Sequence, residues 1–114
     1  MIRKANEREQ AEREMFGGPG KALHTVLMTK DDIQGKGRVF NQVRLVPGAA
    51  IGKHTHSGDF EVFYILSGKG VYDDNGTEVE VGPGDVMLCR DGESHSLLNT
   101  GTENMELLAV VLFS

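Results

Sequence analysis

The chain has 114 residues, 39% hydrophobic and 25% charged, which is the balance of one folded domain with a single core. Its net charge of −5 argues against a nucleic-acid partner, because an acidic surface repels a phosphate backbone. The single cysteine, Cys89, excludes an intrachain disulfide, and the longest apolar run, Met105 to Phe113, is too short to cross a bilayer. With a charged N-terminus where a signal peptide would be apolar, the expectation is a cytoplasmic protein with no membrane partner.

Residues 1–20 stand apart as a charged arm. Arg3, Lys4, Glu7, Arg8, Glu9, Glu12, Arg13 and Glu14 crowd into it. Asn6 and Glu9 have the spacing of a capping box, and Arg8–Glu12 and Glu9–Arg13 are i,i+4 pairs. This predicts a short helix from about Glu7 to Met15, stopped by Gly17-Gly18-Pro19. Residues 21–114 form the second unit, and there the signals are β. Leu23–Thr29, Val39–Val46 and Phe60–Leu66 run apolar or alternate. Val71-Tyr72 and Glu78–Val81 flank Asp73-Asp74-Asn75-Gly76, and Asn-Gly supplies the two positive-φ residues of a type I′ hairpin. Val86–Cys89, His95–Asn99 and Met105–Phe113 complete the set. Short strands separated by glycine-rich turns predict an all-β sandwich or barrel.

Candidate chemistry starts from the histidines, of which there are four: His24, His54, His56 and His95. In His54-Thr55-His56 the two imidazoles point to one face of a strand, a ready chelating pair. Glu61 is an odd number of positions further on and would face away on an unbroken strand. The turn-like Ser57-Gly58-Asp59 allows a bend that returns it to the same side. From there Glu61, Phe63 and Ile65 share one face and Phe60, Val62, Tyr64 and Leu66 the other, both apolar. A carboxylate in such a strand is costly without a partner, and a metal cation is one. A His-x-His pair alone remains weak evidence.

The surrounding spacing makes the case. The chain resembles the cupin family: Gly48, His54, His56, Glu61 and Gly68 match its first motif, and Gly84, Gly92, His95 and Asn99 match its second. Arg90 stands where the family usually has proline, which removes a rigid turn residue but no ligand. The resemblance covers roughly Val39 to Phe113. It implies a double-stranded β-helix (jelly-roll) barrel in which His54, His56, Glu61 and His95 bind one divalent transition metal. That donor set suits Mn, Fe, Co, Ni or Zn. Open coordination positions would let a small ligand bind and be polarised.

Further candidates carry less. Gln42 and Arg44 share a face of the preceding strand and would bind a substrate if that face points inward. Phe63 and Tyr72, with Phe40, Ile65 and Leu97, are candidates for the pocket wall. His24 reads as an ordinary barrel histidine, Cys89 as a small core hydrophobe, and Asn99 as a turn-closing hydrogen-bonder.

Three functional readings follow. The first is a metal-dependent enzyme acting on a small oxygenated molecule, a carboxylate or enediol, by dioxygenase, decarboxylase, isomerase or lyase chemistry, all of which occur in cupins. An oxalate decarboxylase lacks support here, because Ile51 stands where those enzymes tend to carry an arginine. The second is a non-catalytic binding or sensing module for a sugar-like small molecule, and the third a structural metal site. Strands apolar on both faces, including Tyr64 and Leu66 and the Leu107–Phe113 run, predict a homodimer.

Overall fold

The computed structural model describes residues 1–114. Its strands are β1 (Gln10–Arg13), β2 (Ala22–Val26), β3 (Gly37–Leu45), β4 (Ala50–Thr55), β5 (Asp59–Ser67), β6 (Gly70–Asp74), β7 (Thr77–Val81), β8 (Val86–Cys89), β9 (Ser94–Asn99) and β10 (Met105–Phe113). They form a six-stranded sheet in the order β1-β2-β3-β10-β5-β8 and a four-stranded sheet in the order β4-β9-β6-β7. Every strand pair within the two sheets is antiparallel. The chain alternates between sheets after β3, β4, β5, β7, β8 and β9, which is the jelly-roll arrangement of a double-stranded β-helix. No helix is long and apolar enough to cross a membrane.

Period-two alternation decides what faces inward. Along β10, Met105, Leu107, Ala109 and Val111 are buried while the residues between them are less so. Phe63 and Ile65 of β5, Leu45 of β3 and Leu97 of β9 meet them and have almost no exposed surface. This core fills the interior between the two sheets and reaches the wall of the cavity described below.

The Asn75-Gly76 hairpin forms as read, with φ of 52° and 96° and Asp74 paired with Thr77. The predicted helix over Glu7–Met15 does not form. Ala5–Glu7 make a single 3-10 turn, and Gln10–Arg13 are strand β1, paired to β2 with Gln10 opposite Thr25 and Arg13 opposite Ala22. The helix signals were local and electrostatic, worth a few tenths of a kcal/mol per pair. Against them stand the cost of nucleation and the lack of an apolar stripe, since only Ala11 and Met15 are apolar in that stretch. The open edge of β2 offers backbone partners that an isolated helix lacks, and a charged strand suits a sheet edge.

Beyond β1 the chain turns sharply and crosses β4. Phe16 takes a φ of 54°, in the left-handed region that disfavours a bulky residue, and Gly17 follows at 73°. The crossing is pinned by Gly52 N–H donating to the Met15 carbonyl at 2.8 Å and Ala50 N–H to the Pro19 carbonyl at 2.9 Å. It requires glycine at position 52: a Cβ there would overlap the Phe16 carbonyl and come within 2.8 Å of Gly18 N.

Candidate metal centre

The open end of the barrel is where β4, β5 and β9 bring their polar residues together. His54 of β4 lies directly opposite His95 of β9, next to a register shift between Ile51 and His54. His56 follows just past the end of β4. Gly58, at a φ of 78°, then turns the chain into β5, so that Glu61 returns to the side of the histidines, as the sequence required. His56, Glu61 and His95 are 2%, 8% and 1% exposed, and His54 is half-buried.

The four side chains converge on one point. Nε2 of His95 lies 3.0 Å from Nε2 of His54, 3.1 Å from Nε2 of His56 and 3.0 Å from Oε1 of Glu61. His56 Nε2 is 3.1 Å and His54 Nε2 3.6 Å from the same carboxylate oxygen. All four donor atoms fall within 4.8 Å of one another.

The opposite ring nitrogens explain why. His54 Nδ1 faces the Gly52 carbonyl at 2.8 Å and His56 Nδ1 faces Oδ1 of Asp59 at 2.7 Å. Both partners only accept, so both Nδ1 atoms carry the proton and both Nε2 atoms present lone pairs. His95 Nδ1 meets the Tyr72 hydroxyl at 2.8 Å, a partner that permits the same tautomer. Three imidazole lone pairs and a carboxylate then crowd together with no donor among them. Such a cluster needs a cation, either protons or a metal ion. Burial raises the Glu61 carboxyl, but where protons on the imidazoles are that cation, hydrogen bonds from His54, His56 and His95 overcome this and hold it well below the usual carboxylate range. Glu61 in turn raises His56, whereas burial lowers His95. Borderline nitrogen donors, one anionic oxygen and Nδ1 atoms fixed from behind fit a divalent transition metal. The ring of Phe63 stacks on His95 at 4.9 Å, and Phe16, at the rim, stacks on His54 at 3.8 Å.

The cluster opens into a cavity of about 340 Å³. His54, His56 and Glu61 line one side, and Arg13, His24 and Asn41 line another. Of the four substrate candidates, Phe63 lies in the cavity wall and Tyr72 touches the cluster from behind. Gln42 and Arg44 do not join them. The parity of β3 points Val39, Asn41 and Val43 inward, so Gln42 and Arg44 face out and bind Glu106 of β10. Arg44 is about half-exposed there. Asn99 closes the turn after β9: its amide nitrogen donates to the carbonyls of Leu45 and Glu103, and its oxygen accepts from Gly101 N. Cys89 is 2% exposed and packs in the interior.

Sequence reasoning missed Asp59, the Gly52 carbonyl, Phe16 and the cavity-facing Arg13. Asp59 alone left a signal, an acidic residue three places after a candidate ligand; it also pairs with Arg38 at 2.8 Å.

Comparison with known proteins agrees with this architecture. A family model described as a cupin domain matches residues 41–111. A curated relative from Thermotoga maritima, named an oxalate-binding protein, is 44% identical over 98 residues, covering 86% of this chain and 81% of the relative. A crystal structure from the same organism, of a protein described as a predicted oxalate decarboxylase, superposes with a TM-score of 0.95 at 39% identity, over 100% of both chains. A described sugar phosphate isomerase from Acidithiobacillus ferrooxidans shares the fold, with a TM-score of 0.82 at 24% identity, over 99% of this chain and 75% of that one. Two motifs, the jelly roll they sit on and the four side chains they bring together place this chain in the cupin family.

Proposed function

We propose that this cupin holds one divalent transition metal at His54, His56, Glu61 and His95 and binds a small carboxylic acid there. The observation that carries the reading is the convergence of four acceptor atoms, three of them on imidazoles anchored through Nδ1, at the wall of a cavity. A bound divalent ion supplies Lewis acidity to a chelating carboxylate. The protein's own residues do the rest. Asp59, Tyr72 and the Gly52 carbonyl fix the ring orientations. Phe16 stacks on His54 and Phe63 on His95, which holds those two rings in place. Arg13 and Arg38, the latter paired with Asp59, bring positive charge to a cavity wall that also carries Glu14 and Glu61. A relative named for binding oxalate supports the ligand class.

A site opening into a cavity of this size favours ligand binding over a purely structural zinc, whose donors close around the ion. The test is metal analysis of protein purified without added metal, followed by calorimetric titration of oxalate into metal-loaded protein. One ion per chain and saturable binding that disappears in His54→Ala and His95→Ala are expected. Full metal content in both variants would sink the assignment. Release of carbon dioxide or formate from oxalate would mark turnover, by decarboxylase or related chemistry, and its absence a binding or sensing role.

The outer face of β5 and β8 exposes Tyr64, Leu66, Val86 and Leu88 beside a free sheet edge. A second copy of the chain is the occupant we propose for it, giving a homodimer. A monomeric mass by light scattering at micromolar concentration would remove this part of the proposal.

A further inference from the structure

The wall of the cavity away from the cluster holds a polar group with nothing to bind. His24, on β2, is 7% exposed, and its Nε2 is the buried side-chain polar atom left without a hydrogen-bond partner. Its Nδ1 faces the amide nitrogen of Asn41 at 3.5 Å. With the amide donating, the imidazole proton sits on Nε2, a donor in search of an acceptor. Burial, and then the charge of Arg13, hold the His24 pKa below its usual value. A buried, unpaired donor costs stability, and proteins keep few of them without a use. Arg13, on β1, lines the cavity beside it.

This donor and the candidate metal ligands stand on different strands of the cavity wall. His24 sits on β2 and Glu61 on β5, with β3 and β10 between them. Three strand spacings, about 14 Å measured along the curved sheet, separate β2 from β5. The inward side chains between them, Val39, Val43, Ala109 and Val111, form an apolar floor. The cavity of about 340 Å³ falls in the range of pockets for ligands of ordinary metabolite size. A two-carbon acid held at the cluster would leave this floor and the far wall uncovered.

Building on the ligand class proposed above, we infer that His24 Nε2 and Arg13 form a second carboxylate-recognition point, and that the cavity is shaped for a dicarboxylate longer than oxalate. One carboxylate sits at the His54, His56, Glu61 and His95 cluster. The carbon chain lies over Val39 and Val111, and the second carboxylate accepts from His24 and pairs with Arg13.

The experiment is calorimetric titration of the manganese-loaded protein with oxalate, malonate, succinate, glutarate and adipate, for the parent chain, His24→Leu and His24→Gln. In the parent, affinity rises from oxalate to a maximum at one of the longer acids. His24→Leu lowers affinity for that acid about tenfold, the size of one hydrogen bond to a charged group. It leaves oxalate binding and metal content unchanged, because oxalate does not reach His24. His24→Gln, which retains a donor, recovers part of the loss. Three results would overturn the inference alone: oxalate binding tightest in the parent, His24→Leu binding every acid as the parent does, or His24→Leu losing oxalate along with the rest. If the metal-loaded parent binds none of the acids, oxalate included, the ligand class itself is wrong.

Discussion

Asp59 is the residue on which metal affinity should depend most among those that do not touch the ion. It is 6% exposed, and its carboxylate receives the His56 Nδ1 proton at 2.7 Å and the Arg38 guanidinium at 2.8 Å. Asp59→Ala removes a charge-assisted hydrogen bond from a nearly dry site. The His56 ring loses both its orientation and the negative charge that makes Nε2 a better donor. A hydrogen bond of this kind contributes about 1.5–3 kcal/mol. Outer partners of metal-binding histidines, when removed, cost about 10–100-fold in affinity. The two figures agree, since about 1.4 kcal/mol is tenfold. Tyr72→Phe gives the comparison. It removes a neutral contact to His95 Nδ1 at 2.8 Å, worth about 0.5–1.5 kcal/mol, so affinity falls by about tenfold at most. Asp59→Asn keeps an acceptor for His56 but no charge, and belongs between the parent and the alanine variant.

The assay is competition for zinc or manganese against a chromophoric chelator, with circular dichroism of the metal-free variants to show that the sheets persist. Arg38→Met is the control. It relieves Asp59 of its half-exposed partner while leaving the contact to His56, and its metal affinity should stay within about twofold of the parent, because exposed ion pairs contribute little. Asp59→Ala binding metal as tightly as the parent would refute the reasoning. So would a larger loss in Tyr72→Phe than in Asp59→Ala, since the charged partner must outweigh the neutral one.

Three further outcomes follow from other parts of the chain. Gly52→Ala places a methyl group against the Phe16 carbonyl and 2.8 Å from Gly18 N, so stability should fall by about 1–3 kcal/mol in a denaturant titration; an unchanged midpoint would mean that the arm does not cross β4 as described. Asp32 is held down to about pKa 2 from 3.8 by the Thr29 N–H and the Arg3 guanidinium. Its folded-state pKa lies below its unfolded one, so its contribution is complete above about pH 4 and lost as pH falls through about 2; in Asp32→Asn the parent's extra loss of stability over that window should vanish. Burial pushes the Cys89 thiol up to about 11, so a thiol reagent at pH 8 should leave the native protein unmodified and react once denaturant is added. Rapid labelling of the native state would show that β8 opens.

The β-strands and the residues of the candidate metal centre were legible because both are written in short-range spacing. The alternation along β5 and β10, the His54–His56 pair and the Asn75-Gly76 turn each need only a few neighbouring residues to be read. Two kinds of feature escaped. The first is competition between partners far apart in sequence. Residues 7–15 carry helix signals, and only the bare edge of β2, further along the chain, turns Gln10–Arg13 into a strand. The second is parity relative to the barrel axis. Gln42 and Arg44 have suitable chemistry, but a one-residue shift decides whether they or Asn41 and Val43 face the cavity. Both misses bear on the same surface. With β1 added to the sheet, Arg13 and Phe16 become part of the cavity wall, and with the inward parity of β2 and β3 known, His24 and Asn41 join them. On the proposed reading, the residues that choose the ligand come largely from the segment outside both cupin motifs, whereas the motifs themselves supply the candidate metal site. Relatives that keep the motifs and change the arm should hold the same metal and differ in the acid they bind.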